Sequence, residues 1–233
     1  MTTYSRLALP RLLPADVKKV VWLDADVLVT GDLERLWMTE LGDRHLLAVQ
    51  DPCVPFVSSR YGIRRWRELG LAERAKYFNA GVMLIDLDRW RRDEIGEHAG
   101  DYVRERGAEV MFWDQEGLNA VLHGRWGELD ARWNYCSGFT PRELPETASV
   151  EPWIIHFAGT LKPWLLPAPE SGPRALFYRL LDETPWAGWR PRRTPMSVGR
   201  GWYEASRLRD VLYPAEHWWM LQLRRRLVNV ARR

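Results

Sequence analysis

Two acidic side chains, Asp24 and Asp26, interrupt an otherwise apolar stretch of the sequence, KKVVWLDADVLVTGDL at residues 18–33. Burying an unpaired carboxylate is energetically expensive. Residues two apart in an extended chain project to the same side, so we expect both carboxylates to face one way and to need a cation between them. Carboxylate oxygens suit Mg²⁺ or Mn²⁺, which also bind substrate phosphates. The pattern predicts a divalent cation site, and a metal-free turn at the end of a strand is the simpler alternative.

A second chemistry shares this local pattern. Haloacid-dehalogenase phosphatases also begin with an apolar strand followed by D-x-D, and their first aspartate is a nucleophile. That fold needs a downstream apolar strand that ends in an acidic pair or in G-D-x-x-x-D. Here Gly100 and Asp101 follow the polar stretch DEIGEHA, and the last aspartate of the motif is missing. We therefore favour the cation site over the phosphatase.

Alternating apolar and helical patterns must position these aspartates. The stretch VKKVVWLDADVLV predicts one buried strand, and further strands are predicted in HLLAVQD, YFNAGVMLIDLDRW and WIIHFAG. A helix is predicted in LERLWMTEL, with Leu33, Leu36, Trp37 and Leu41 on one face, and another in DQEGLNAVLHG, which ends at Gly124. Strands that alternate with helices predict an α/β fold with a mixed, mostly parallel sheet.

Composition limits the class of protein. The chain has 233 residues, of which 46% are hydrophobic and 28% charged, as in globular proteins. The sequence has no apolar stretch of transmembrane length and no good signal peptide, so a cytoplasmic location is the default expectation. The net charge of +3 comes from a basic C-terminus, since RRRLVNVARR holds five arginines. This distribution does not favour nucleic acid as a partner.

The C-terminal third differs in composition from the rest of the chain. We expect a catalytic domain at residues 1–164, an arm rich in proline and tryptophan at 165–213, and a basic amphipathic helix at 214–233. That last segment carries Trp219, Leu223, Leu227 and Val230 near one face, with arginines around them. Such a helix fits peripheral attachment to an anionic membrane surface. A helix that packs on the domain with a solvated basic end is the alternative.

Four blocks of sequence, in order, carry a resemblance to a known family. They are TTYSRL with the LDADVLV strand, YFNAGVMLIDLDRWR, DQEGLNAVLHGRW with LDARWNY, and IIHFAGTLKPW. Together they resemble glycosyltransferase family 8, over residues 2 to about 164. The family consists of retaining enzymes with the GT-A nucleotide-sugar fold, related to lipopolysaccharide galactosyl- and glucosyltransferases and to glycogenin. The resemblance implies transfer of a hexose from a UDP-sugar to a glycan or glycolipid of the lipopolysaccharide type, with Mn²⁺ or Mg²⁺ as cofactor.

The resemblance also implies roles for individual residues. The implied metal ligands are Asp24, Asp26 and His156. Contact with the donor diphosphate or nucleotide-sugar is implied for Arg6, Gly159 and Lys162. Contact with the sugar is implied for Asp51, Asn79, Asp114 and Gln115, of which the last three are the catalytic candidates. Taken alone, each has a simpler interpretation: a core histidine, a surface lysine, or, for Asp114, a helix N-cap.

Retention of configuration leaves two mechanisms open. A covalent enzyme intermediate would need a nucleophile, as in retaining glycosidases. Gln115 stands where that nucleophile would be sought, but an amide is a poor one. We therefore favour front-face attack, in which the leaving phosphate accepts the proton of the acceptor.

The match departs from the family at its start. The block TTYSRL begins at Thr2, whereas in the family a β-α-β portion precedes it and forms much of the pocket for the nucleoside. We therefore expect an N-terminally incomplete fold. Either Met1 lies inside a longer protein, which we favour, or the chain is an inactive remnant that serves as a membrane-surface or partner-binding module.

Overall fold

The computed structural model describes residues 3–137, 151–159, 162–165 and 170–192. The chain forms two units, Met1–His156 and Phe157–Arg233. All the strands described below belong to the first unit.

Two sheets organise the first unit. One has the strand order β1-β4-β3-β5 and the other the order β2-β7-β6. The bounds are β1 Lys19–Leu23, β2 Val27–Val29, β3 Leu46–Gln50, β4 Phe78–Asp86, β5 Trp126–Glu128, β6 Tyr135–Cys136 and β7 Ile154–His156. The predicted α/β class with a mixed sheet is confirmed.

The expectation of a mostly parallel sheet is wrong for the described residues. Only the β3–β5 and β6–β7 pairs are parallel, whereas β1–β4, β3–β4 and β2–β7 are antiparallel. The reason lies in β4, a long strand that runs antiparallel to both of its neighbours. The eight residues from Phe78 to Ile85 are buried, as a sequence that is apolar at every position but Asn79 favours.

The helices are short and mostly lie on one face of the first sheet. They are α1 Leu9–Leu12, α2 Leu33–Trp37, α3 Leu87–Arg92, α4 Ile95–Arg106, α5 Trp113–Val121 and α6 Gly172–Leu181. Asp32 and Asp86 cap α2 and α3, since their side chains accept from Glu34 N and Arg89 N at 2.9 and 2.8 Å. The helix predicted in LERLWMTEL is too long, because the observed α2 ends at Trp37. The Trp37 side chain is exposed.

Alternating residues of the first sheet build a core on each face. Leu46 and Ala48 pack with Leu118 of α5, whereas Leu47 and Val49 pack with Ile154 of the second sheet. This alternation follows from the period of two in a strand. The first sheet is therefore a middle layer, with helices on one side and the second sheet on the other.

The second unit has an aromatic cluster and one described helix, α6. Phe157, Trp164 and Phe177 pack together in edge-to-face and tilted pairs, with ring centroids 5.6–6.4 Å apart. The Tyr178 hydroxyl donates to the Pro163 carbonyl at 2.6 Å. The predicted basic helix at 214–233 lies outside the described residues. Within the described ranges, no helix combines the length and apolarity needed to cross a membrane.

Candidate active site

The two aspartates of the D-x-D motif lie in a turn that joins the two sheets. Asp24 follows β1 and Asp26 precedes β2. The predicted single buried strand is therefore wrong, because the chain leaves the first sheet at Leu23 and enters the second at Val27. β1 is also only half-buried, since it lies at the edge of its sheet. The backbone N–H of Asp24 donates to the Gly81 carbonyl at 2.8 Å and holds the turn against β4.

The sheet register brings His156 to the same turn. His156 is the last residue of β7 and lies opposite Val27 in the β2–β7 pair. One ligand atom from each of Asp24, Asp26 and His156 lies within 4.8 Å of the others. Asp26 Oδ1 is 3.3 Å from His156 Nε2. Two carboxylate oxygens and one imidazole nitrogen form a donor set that suits Mn²⁺ or Mg²⁺ with phosphate oxygens, so these residues fit a divalent cation.

A buried arginine links this turn to α5. Arg6 Nη2 lies 2.9 Å from Asp24 Oδ1, and Arg6 Nε lies 2.7 Å from Asp114 Oδ2. Its Nη1 donates to the Ala80 carbonyl. Trp22 Nε1 also donates to Asp24 Oδ1, at 2.8 Å. One oxygen of the Asp24 carboxylate, Oδ1, is therefore held by two donors within the protein.

Asp114 lies within the first turn of α5, and the N-cap of that helix is Phe112. The interpretation of Asp114 as the N-cap is therefore wrong. Burial raises the pKa of Asp114 to about 6, against the opposing effect of Arg6. Arg6 Nε lies close to Asp114 Oδ2, but burial is the larger influence and the nearby Asp24 carboxylate also raises the pKa of Asp114.

The remaining sugar-side candidates meet at one buried carboxylate, Asp51. Its Oδ2 accepts from Asn79 Nδ2 at 2.9 Å and from Gln115 Nε2 at 3.0 Å. Its Oδ1 accepts from the backbone N–H groups of Cys53 and Val54 at 2.8 and 3.0 Å. Gln115 Oε1 in turn accepts from Ala80 N at 2.9 Å. Both ends of the Gln115 amide are therefore held by the protein.

Comparison with known proteins shows the family of the chain. The family model described as "Glycosyl transferase family 8" matches residues 1–167. The chain belongs to glycosyltransferase family 8.

This family 8 chain is similar to individual proteins in sequence and, for one of them, in structure. General stress protein A of Bacillus subtilis is 31% identical over 175 residues, which cover 69% of this chain and 58% of that protein. Glycosyltransferase 8 domain-containing protein 1 of Xenopus tropicalis is 28% identical, over 70% of this chain and 50% of that protein. The crystal structure of galactosyltransferase LgtC with donor and acceptor sugar analogs is 31% identical with a TM-score of 0.62, over 85% of this chain and 70% of that one. The fold is therefore GT-A. The matched part of the chain spans 58% of the Bacillus subtilis protein and 50% of the Xenopus tropicalis protein.

Two site candidates of the family 8 chain, Gly159 and Lys162, belong to the second unit. Gly159 has a φ of +74°, a conformation that glycine adopts without strain. Lys162 Nζ donates to the Phe157 carbonyl at 2.6 Å. The structure thus brings the metal candidates together with Arg6 and the sugar-side candidates in the first unit, and describes these two residues within the second.

Sequence reasoning missed two residues of the site, Gly81 and Asn134. A Cβ atom at Gly81 would lie 2.2 Å from His156 Cε1, so this position admits only glycine beside the ring. Asn134 is buried and its Oδ1 lies 2.9 Å from His156 Nδ1. Asn134 stands between two aromatic residues in the LDARWNY block, which indicates burial but not which group the amide contacts.

Proposed function

We propose that this chain transfers a hexose, with retention of configuration, from a UDP-sugar to a glycan or glycolipid acceptor. The observation that carries the proposal is the convergence of Asp24, Asp26 and His156 in a member of glycosyltransferase family 8. The proposed cofactor is Mn²⁺, or Mg²⁺ in its place.

The three metal candidates have the simplest proposed role. Asp24, Asp26 and His156 would hold the cation, which supplies Lewis-acid neutralisation of the leaving diphosphate. Arg6 and Trp22 would keep one oxygen of Asp24 fixed, so that its carboxylate does not rotate away from the site.

The amide and carboxyl groups beside the turn would hold the sugar. Asp114 and Asn79 would orient its hydroxyl groups and offer charge and dipoles to a carbon that becomes oxocarbenium-like. Gln115 would help to position the sugar and would not act as a nucleophile on it, since both ends of its amide are engaged, by Asp51 and by Ala80 N. This engagement favours front-face attack over a covalent intermediate.

Further parts of the proposal rest on the sequence. Gly159 and Lys162 would contact the diphosphate, and Arg6 and Asp51 would complete the donor site. The acceptor would be of the lipopolysaccharide type, and residues 214–233 would bring the chain to an anionic membrane surface in the cytoplasm.

Transfer assays with matched variants test the proposal. UDP release from a panel of UDP-hexoses would be measured with Mn²⁺ and with chelator, for the unaltered chain and for D24N, D26N and D43N. Asp43 is the matched control, because its side chain is 89% exposed. We expect metal-dependent release that D24N and D26N abolish and D43N leaves intact. Folded protein that releases no UDP from any of these donors, or release that D26N leaves unchanged, would overturn the proposal in favour of a non-catalytic module.

A further inference from the structure

A buried chain of hydrogen bonds beside the site has a direction that the backbone determines. The N–H of Gly81 donates to Asn79 Oδ1 at 2.9 Å, and a backbone N–H can only donate. Asn79 Nδ2 donates at the other end to Asp51 Oδ2, at 2.9 Å, and a carboxylate only accepts. The orientation of the Asn79 amide is therefore fixed at both ends.

The fixed orientation of Asn79 determines the donor and acceptor in the next two hydrogen bonds, to Asn134 and then to His156. Asn134 lies 2.9 Å from Asn79 Oδ1, and because that oxygen accepts, Asn134 must present its Nδ2. The Asn134 Oδ1 then faces His156 Nδ1 at 2.9 Å. An amide oxygen accepts, so His156 Nδ1 must carry the hydrogen. In the neutral ring, this leaves the lone pair on Nε2.

We infer that Asn134 is a positioning residue, which fixes the Nδ1–H tautomer of His156 and turns the Nε2 lone pair toward Asp24 and Asp26. The inference deepens the proposed function and rests on it for the cation. Histidines that bind metals usually donate their other N–H to an outer partner, which sets the tautomer and the ring orientation. Here that partner is an amide, tied through Asn79 to the sugar-side carboxylate Asp51.

Opposing contacts explain why a fixed acceptor is needed. Asp26 Oδ1 lies 3.3 Å from Nε2 and, without a cation, favours a hydrogen on that nitrogen, which is the wrong tautomer for a ligand. The Cys136 sulfur lies 4.0 Å from Nδ1, at the limit for a weak hydrogen bond. Asn134 and His156 are 2% and 4% exposed, so bulk water does not readily replace the amide. Asn134 is therefore the strong acceptor that opposes Asp26.

The first test reads the tautomer of the unaltered protein, without metal or substrate. The chain contains five histidines, and the H156Q spectrum identifies the signals of His156 in protein labelled with ¹⁵N-histidine. Two-bond ¹H–¹⁵N correlation at alkaline pH distinguishes the two neutral tautomers. We expect Nδ1–H for His156 in the unaltered, metal-free protein. An Nε2–H tautomer there would overturn the inference, whether or not the protein transfers sugar.

Variants then test the role of Asn134 in metal binding. N134L removes the acceptor, N134D keeps an oxygen, and N119L is the control, because Asn119 is equally buried but bonds to the backbone of Phe78. Binding of Mn²⁺ alone is followed by electron paramagnetic resonance. We expect N134L to weaken it about 10- to 100-fold and to shift the tautomer toward Nε2–H. N134D keeps the acceptor for His156 Nδ1 but loses the donor to Asn79 Oδ1, so we expect it to keep the Nδ1–H tautomer and to recover only part of the binding. Unchanged binding in N134L, or an equal loss in N119L, would contradict the inference. An Nδ1–H tautomer and intact Mn²⁺ binding in a chain without transfer would instead contradict only the proposed function.

Discussion

Replacing Asp114 with asparagine should change how the stability of this protein depends on pH. Asp114 is 1% exposed, and burial raises its pKa to about 6 from an ordinary value of 3.8. Because this acid has a raised pKa in the folded state, its ionised form destabilises the fold at neutral pH. The folded protein takes up the proton as the pH falls through about 6, whereas the unfolded chain does so only near 3.9. Stability is therefore gained on acidification through this window.

The size of the effect follows from the two pKa values. The full difference corresponds to about 3 kcal/mol, and about 2 kcal/mol of it develops between pH 7.5 and 4.5. D114N cannot titrate, so the unaltered protein should gain about 2 kcal/mol of unfolding free energy relative to D114N over this range. Titrating groups that do not interact with Asp114 are common to both proteins and cancel in the comparison.

Urea unfolding without metal, followed by tryptophan fluorescence at several pH values, measures this difference. D43N is the control, since the exposed Asp43 should give a nearly constant difference from the unaltered protein. A constant difference for D114N would refute the reasoning. A difference of opposite sign would mean that Arg6 outweighs burial and lowers the pKa of Asp114.

Three further predictions concern single side chains. N119A should lower the free energy of unfolding, measured in urea, by about 2–3 kcal/mol. The Asn119 side chain bonds to both the N–H and the C=O of buried Phe78, and the alanine variant leaves these two backbone groups unpaired. A change under about 0.5 kcal/mol would contradict this. G81A should weaken Mn²⁺ binding at least about 10-fold in the paramagnetic resonance assay, because the added Cβ would displace the His156 ring. Unchanged binding would contradict this and would show that the ring can move aside without losing the cation. Cys53 should react slowly with a thiol reagent at pH 8 in the folded protein and rapidly in urea, because burial, aided by Asp51, raises the pKa of its thiol; rapid reaction when folded would contradict this.

The sequence predicted the fold class because a long apolar stretch is stable in few environments other than a buried strand or helix. β4 is the clearest case, since a continuous apolar stretch of strand length is satisfied by burial on both faces of a sheet. The direction of its neighbours could not be predicted, because periodicity shows where a strand lies and not which way its partner runs. The expectation of mostly parallel pairing failed for that reason.

The D-x-D turn shows a similar limit. Its residue types predicted convergence of carboxylates, and the structure does bring Asp24 and Asp26 together with His156. The geometry expected was an extended strand, whereas the chain turns there between two sheets. A stretch of uniform hydrophobicity does not reveal where the chain changes sheets. Partners such as Asn134 were missed because a single buried amide has no periodic signal and is defined only by the groups that surround it.

Calorimetric titration of UDP into this chain, with Mn²⁺ and with chelator, tests the central claim most directly. D26N is the matched variant, because it removes one ligand charge and keeps the shape of the side chain. The account predicts binding of UDP that requires Mn²⁺ and weakens at least about 10-fold in D26N. Binding of UDP that is equally strong with chelator, or equally strong in D26N, would contradict it.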